Sequence, residues 1–433
     1  MTSELIGILG FAGLLLLIGL RFPVGIAMLL VGFIGTGALN SFSSASYSMT
    51  GQSFEIISNY DLTVLPLFIL MGTLAAAGGL SRNLYDAAQA FIGHWRGGLA
   101  GATVVGCAGF AALSGSSIAS AVTMGRVAYP QMQRYGYGQR LSTGAIAAGG
   151  TLGILIPPST GFVLYAILTE ESIGRLFLAG IIPGLLLTCL FLVAIRVFAA
   201  FRPSESPKGE RVNWAESFKA LLKGMPIVLI ILITIGGIYA GLFTPVEAAG
   251  IGAFLALVMV ILRGQLTPTV TKNVIVDTLQ TTGLCFLILI GASVFAPFVA
   301  LSGLPAAISE WVAGLAIGPY GILAVILVMY LLLGMVIEGL SLMVITLPVV
   351  FPLVLQLGFD PIWFGVIMVL VLEMGLISPP VGVNCFVVKT VATDVELETI
   401  FAGVFPFLIA MICCVALLVA FPQIALFIPE AAF

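Results

Sequence analysis

The sequence predicts an all-α polytopic membrane protein made of two inverted-topology repeats, each with about five crossings, one re-entrant hairpin and one broken helix. Three observations lead there. The 433 residues are 60% hydrophobic and 8% charged, and the mean hydropathy is +1.21. A soluble domain carries about 25% charge, so nearly all of this chain belongs in lipid. Two proline pairs, Pro157-Pro158 and Pro379-Pro380, interrupt apolar runs long enough to cross a bilayer. The two pairs stand 222 residues apart (379 − 157), and other punctuation residues share that spacing.

Apolar runs fall near 5–20, 24–40, 62–80, 98–130, 141–168, 173–200, 225–243, 245–262, 279–300, 318–355, 361–390 and 398–421. The first has no basic residue before it and no small-residue cleavage pattern after it, so it is expected to be a retained helix and not a signal peptide. Run 98–130 is divided by Ser114-Gly115-Ser116-Ser117, which leaves arms of about 15 residues, short of the 20 or so that a crossing needs. It reads as a re-entrant hairpin. Run 318–355 is divided by Glu338-Gly339-Leu340-Ser341. It is long enough for two crossings, and its reading as a hairpin rests on its twin.

Runs 141–168 and 361–390 hold the proline pairs. Proline lacks a backbone donor and clashes with the preceding turn, so each helix should break there. Broken backbone persists in a membrane only where protein buries it or water reaches it. Two broken helices in matching halves point to the binding site of a secondary transporter.

The 222-residue spacing also pairs Gly19-Leu20 with Gly241-Leu242, Pro23-Val24 with Pro245-Val246, Pro130 with Pro352 and Gly136 with Gly358. After one inserted residue it pairs Ala179-Gly180 and Pro183 with Ala402-Gly403 and Pro406. The chain therefore divides into a first repeat over 1–200, a cytoplasmic linker over 201–224 and a second repeat over 225–433. In the linker, Trp214, Phe218, Leu221 and Leu222 recur at helical spacing and predict an interfacial helix.

Placing the linker bases (Arg202, Lys208, Arg211, Lys219, Lys223) in the cytoplasm puts Arg21, Arg82, Arg96, Arg126, Arg134, Arg140, Arg196, Arg263, Lys272 and Lys389 inside as well. Only Arg175 falls outside. Loops 41–60, 301–317 and 356–361 have no Lys or Arg. This satisfies the positive-inside rule and puts both termini outside. Five crossings per repeat is an odd number, which gives the repeats opposite topology.

The six cysteines lie in apolar runs without metal-ligand spacing, and His94 is the only histidine. A multi-histidine metal site is excluded, and His94-Trp95-Arg96 reads as an interface anchor. At the first tip, Ser114, Ser116 and Ser117 offer hydroxyls and Gly115 allows the turn. The break opposite offers backbone oxygens around Gly150, Thr151, Gly153 and Pro157. Such neutral oxygens suit a monovalent hard cation, Na⁺, as the coupling ion. The alternative is close helix packing by small residues.

The second tip offers Glu338, Gly339 and Ser341, and its break offers Gly375, Ser378, Pro379 and Gly382. Acids at membrane depth are functional candidates. Glu338 would need a cation, a proton or backbone donors. Glu373 reads equally as a ligand or as a brace. Ser116, Ser159, Thr160 and Asn384 are the candidate substrate-facing groups. With few bases at membrane depth, an anionic substrate would be held by helix ends and hydroxyls, which fits a carboxylate. An intramembrane serine hydrolase using Ser114 or Ser116 would need His94 within reach, whereas the topology puts His94 at the surface. Nothing points to an organic cofactor or to nucleic acid.

Four runs carry a resemblance: Leu113-Ser114-Gly115-Ser116-Ser117-Ile118-Ala119, Gly153-Ile154-Leu155-Ile156-Pro157-Pro158-Ser159, Phe359-Asp360-Pro361-Ile362-Trp363-Phe364-Gly365 and Gly375-Leu376-Ile377-Ser378-Pro379-Pro380-Val381-Gly382-Val383-Asn384. They resemble the large membrane (M) subunit of tripartite ATP-independent periplasmic (TRAP) transporters, over nearly the whole chain. The resemblance implies the ion-transporter-superfamily fold, with a scaffold and a transport domain that moves as an elevator. It implies sodium-driven uptake of an organic acid across a bacterial inner membrane, with both termini periplasmic. The implied partners are a small membrane (Q) subunit, expected as a separate chain, and a periplasmic substrate-binding (P) protein. The tip serines with the Gly150–Pro157 break resemble one sodium site, and Glu338-Gly339 with the Gly375–Pro379 break the other. Glu338 stands where Asp is common in the family, and Val371 where Asn is. A stand-alone Na⁺ symporter or Na⁺/H⁺ antiporter of the same superfamily is the alternative, permitted by Glu338 and Glu373.

Overall fold

The computed structural model describes residues 2–209, 213–313 and 317–432, which are all-helical apart from one isolated bridge between Arg96 and Lys208. The first part of the chain forms α1 (Ser3–Gly19), α2 (Val24–Leu39), α3 (Phe42–Ser58), α4 (Val64–Ala77), α5 (Leu80–Ile92), α6 (Gly98–Ser114), α7 (Ser117–Arg134), α8 (Gln139–Leu155), α9 (Thr160–Thr169) and α10 (Ile173–Phe201). The second part forms α11 (Trp214–Tyr239), α12 (Pro245–Leu262), α13 (Pro268–Leu301), α14 (Leu304–Ala313), α15 (Pro319–Gly334), α16 (Gly339–Gln356), α17 (Pro361–Ile377), α18 (Val383–Val391), α19 (Leu397–Ala420) and α20 (Gln423–Ala432). Eight helical runs among the described residues are long and apolar enough to cross a membrane. This is a multi-pass membrane protein.

Each expected interruption is present. Runs 98–130 and 318–355 are the helix pairs α6–α7 and α15–α16, and runs 141–168 and 361–390 are the interrupted pairs α8–α9 and α17–α18. Helices α7 and α16 begin and end 222 residues apart (339 − 117; 356 − 134), as do α8 and α17 (361 − 139; 377 − 155). Gly136 and Gly358 both take positive φ, and both proline pairs are cis.

Two expected loops hold further helices. Residues 41–60 contain α3 and residues 301–317 contain α14. Ser41 caps α3 by accepting from Ser44 N at 3.2 Å, a local signal that a search for apolar runs passes over. The linker also differs in detail. Trp214, Phe218 and Leu222 are exposed, but the helix they open runs through Pro226 into the next span without a break. Arg211 lies outside the described residues. Farther back, Gly209 N donates to Gly93 O at 3.1 Å and Gly138 N to Glu205 O at 2.9 Å, so the linker is stitched to the loops at both ends of the first hairpin.

Helices α8 and α17 form the centre. From Leu141 to Leu155 and from Ile362 to Ile377 every residue is buried, as expected of helices apolar on all sides. Burial on all sides demands close approach. Helix α8 meets α19 where Gly144 lies against Gly403, and α2 meets α13 where Gly25 lies against Gly291. Small residues that admit a neighbouring backbone are the usual means of packing helices in lipid, where apolar burial supplies no drive.

Candidate functional site

The first tip is two residues long. Helix α6 stops at Ser114, and Gly115 turns the chain with φ +57°, a conformation costly for residues with a Cβ. Ser116 then caps α7, accepting from Ala119 N at 3.4 Å. Ser114 Oγ and Ser120 Oγ are 2.9 Å apart. The tip is seated on the broken helix: a Cβ on Gly153 would stand 2.5 Å from Ser116 O, and one on Gly150 would stand 3.1 Å from Ser117 O. Beyond the break, Thr160 Oγ1 donates to Gly115 O at 2.8 Å. The structure therefore brings the tip serines together with Gly150 and Gly153, and it adds Thr160, which the sequence placed among the substrate-facing groups.

The break itself spans 156–159. Pro157 has no N–H to offer Gly153 O, four residues earlier, so that carbonyl leaves the helix ladder without its usual donor. Ser159 spans the gap: its hydroxyl donates to Ile154 O and accepts from Phe162 N at 3.2 Å, capping α9. Thr151 is fully buried and gives its proton to Ala148 O at 2.6 Å, which leaves its lone pairs as acceptors. Hydroxyls and carbonyls at one spot fit a hard monovalent cation.

The second tip is charged. Glu338 caps α16 with its carboxylate, accepting from Leu340 N at 3.2 Å, Ser341 N at 2.9 Å and Ser341 Oγ at 3.0 Å. Its own helix thus supplies donors. The hairpin rests on α17, where a Cβ on Gly375 would stand 2.6 Å from Gly334 C. Gly339 lies over Leu372.

The other expected members of this second site lie at its break. Ser378 donates to Met374 O at 2.7 Å, within its own helix. Gly382, at φ +57°, packs against Phe401 of α19. Pro379 is exposed, whereas Pro157 is buried. The second break is thus the more open one.

Asn384, in the first turn of α18, is 0% exposed, and neither its amide oxygen nor its nitrogen has a hydrogen-bond partner among the described residues. Leaving such a group unsatisfied costs about 1–3 kcal/mol. Glu373, 2% exposed, reaches out of α17 to the other half, where it accepts from Ser117 Oγ at 2.6 Å. His94 lies in the loop between α5 and α6, edge-on to Trp95, and hydrogen-bonds no serine. Sequence reading missed Ser120, although Ser116, Ser117 and Ser120 stand at helical spacing. It also missed the Ser117–Glu373 bond, for which no local signal exists.

Two hairpins seated on two broken helices within a multi-pass bundle define the architecture of a membrane transporter. The fold is similar to the crystal structure of the Alcanivorax borkumensis YdaH transporter, with a TM-score of 0.65 at 15% identity over 94% of this chain and 98% of that one. The family model for the DctM component of the tripartite ATP-independent periplasmic transporter matches residues 11–424, and the chain belongs to this family. It is 37% identical to the C4-dicarboxylate TRAP transporter large permease protein DctM of Pseudomonas aeruginosa, over 92% of this chain and 93% of the relative. It is 32% identical to the sialic acid TRAP transporter large permease protein SiaM of Vibrio cholerae, over 99% and 98%.

Proposed function

We propose that this large permease subunit uses a sodium gradient to take up an organic acid across a bacterial inner membrane. A periplasmic substrate-binding protein delivers the acid, and a separate small membrane subunit completes the complex. The observation that carries the reading is the seating of each hairpin on a broken helix, with hydroxyls and a freed carbonyl at the first and a carboxylate at the second. Ser114, Ser116, Ser117 and the Gly153 carbonyl would hold one sodium ion; Glu338 and Ser341 beside Gly375 would hold the other. Bound sodium neutralises a cluster of oxygen dipoles and so favours the closed seating of the tips.

The unpartnered amide of Asn384 supports an organic-acid substrate: its nitrogen can donate to a carboxylate oxygen and its oxygen can accept from a hydroxyl of the same molecule, with Ser159 and Thr160 nearby in role. Asn384 is shut from solvent in this conformation, so access requires the two halves to move. The matched element boundaries support two repeats, and the distribution of bases supports their inverted arrangement with both termini periplasmic. In that arrangement the hairpins and broken helices move together against the remaining helices, as an elevator.

The test is uptake into proteoliposomes containing both membrane subunits and supplied with the binding protein. An inward sodium gradient should drive uptake of the acid that copurifies with the binding protein. Uptake indifferent to the gradient would refute sodium coupling, and uptake without the binding protein would refute the tripartite reading.

A further inference from the structure

The first tip carries no charge of its own. The residues at the two equivalent cap positions are Ser116 and Glu338, a hydroxyl and a carboxylate (338 − 116 = 222). One turn of α17 before its break, the residue paired with Thr151 is Glu373 (373 − 151 = 222). Glu373 does not serve its own tip by hydrogen bonding. Its 2.6 Å bond goes to Ser117 of the first tip and is its only hydrogen bond among the described residues. A carboxylate has about four acceptor positions, so this one is far from satisfied.

The surrounding groups do not supply the missing positive charge. The other acid of the site, Glu338, has the same sign. Lys389, on α18, is engaged by Thr393 O at 2.9 Å and Val395 O at 2.7 Å. Arg140 sits in the first turn of α8, at the opposite end from Thr151. The hydroxyls of Tyr165 and Tyr330 are bound to Pro361 O and Thr346. A carboxylate left like this in a low-dielectric core is costly unless a cation joins it or a proton neutralises it.

The geometry points to Glu373 as the counter-charge for the cation at the first tip, lent by the second half of the molecule. This rests on the reading of the tips as sodium sites. By accepting the Ser117 hydroxyl's hydrogen bond, Glu373 turns the hydroxyl so that its lone pairs are left for the ion, in the way outer groups orient metal ligands. Sodium at the first tip then draws the second broken helix onto the first hairpin, and the halves engage as one.

The experiment measures sodium binding and thermal stability on the purified membrane complex, with ²²Na⁺ and with melting curves in sodium and in choline. Glu373→Gln should weaken sodium binding at least about tenfold. Without sodium it should melt no lower than the unaltered protein, because the amide keeps the shape of Glu373 and its oxygen can still accept from Ser117. Unchanged sodium affinity with a lower melting point in choline would make Glu373 a brace and overturn the inference. Should the glutamine variant fail to fold, Glu373→Asp decides: a counter-charge keeps sodium binding within a few-fold, whereas loss of binding with the charge retained overturns the proposal. Absence of sodium binding in the unaltered complex would instead overturn the sodium reading of both tips.

Discussion

The two hairpin tips share a backbone plan and differ in charge. Each has a capping residue at the same register, and each lies over a glycine of a broken helix, Gly153 or Gly375. The first tip is neutral and its break is buried. The second holds a carboxylate already bound by three donors of its own helix, and Pro379 and Pro380 of its break are exposed. The duplicated unit thus constrains where the chain turns and how closely backbones approach. It leaves free which side chain stands at the turn. Both acids of the two sites, half-buried Glu338 and buried Glu373, belong to the second half, and Glu373 reaches across to the first.

The charge difference can be broken directly. In Glu338→Gln, either a donor replaces Oε2, which now accepts from Ser341 N and Ser341 Oγ, or the side chain turns and loses Leu340 N. Hydrogen bonds to a charged group are worth about 1.5–3 kcal/mol. With the charge also gone, sodium-driven uptake should fall about a hundredfold. Ser116→Ala removes a single 3.4 Å neutral cap, worth about 1 kcal/mol, so sodium affinity should fall by about tenfold or less. Equal losses, read from sodium titrations of uptake, would show that charge does not separate the tips.

The shared plan can be tested at the two seating glycines. A methyl at Gly153 meets Ser116 O, and one at Gly375 meets the backbone of Gly334. Neither obstacle is a flexible side chain. Gly153→Ala and Gly375→Ala should each cost about 1–3 kcal/mol of stability, as overpacking does. Melting curves should show similar drops for both. A drop at only one would mean that the second hairpin is not held as the first is.

This pattern explains what could be read from the chain beforehand. Pro157-Pro158, Pro379-Pro380 and the glycines around them act through the backbone, and their effect is local, so the breaks and hairpins were legible. Helices α3, α5, α14 and α20 were not, because their residues are too polar or too few to register as spans. At the site, Ser114 to Ser117 and Glu338 could be named from their position at interruptions. The bond between Ser117 and Glu373 joins residues 256 apart in sequence, and no spacing rule reaches that far. That the amide of Asn384 is unpartnered likewise depends on its neighbours in space.

The last and smallest test lies at the far end of the first hairpin. Tyr129 of α7 gives its hydroxyl proton to Asp394, with both carboxylate oxygens at 2.9 Å, and Gln133 donates to Asp394 at 2.8 Å. This ties the hairpin to the loop after α18. The equivalent residue in the second hairpin is Phe351 (351 − 129 = 222), which has no hydroxyl and meets Tyr165 edge-on at 6.2 Å. Tyr129→Phe makes the first arm chemically like the second. Asp394 is exposed, so water takes up its freed oxygens, and Gln133 still holds it. The cost should be only about 0.5–1.5 kcal/mol. Amide exchange within 117–134 should therefore quicken by up to about tenfold, while sodium affinity stays as it was. If sodium affinity falls instead, the arm and the tip are coupled, and the charge at the tip is not the only asymmetry that matters.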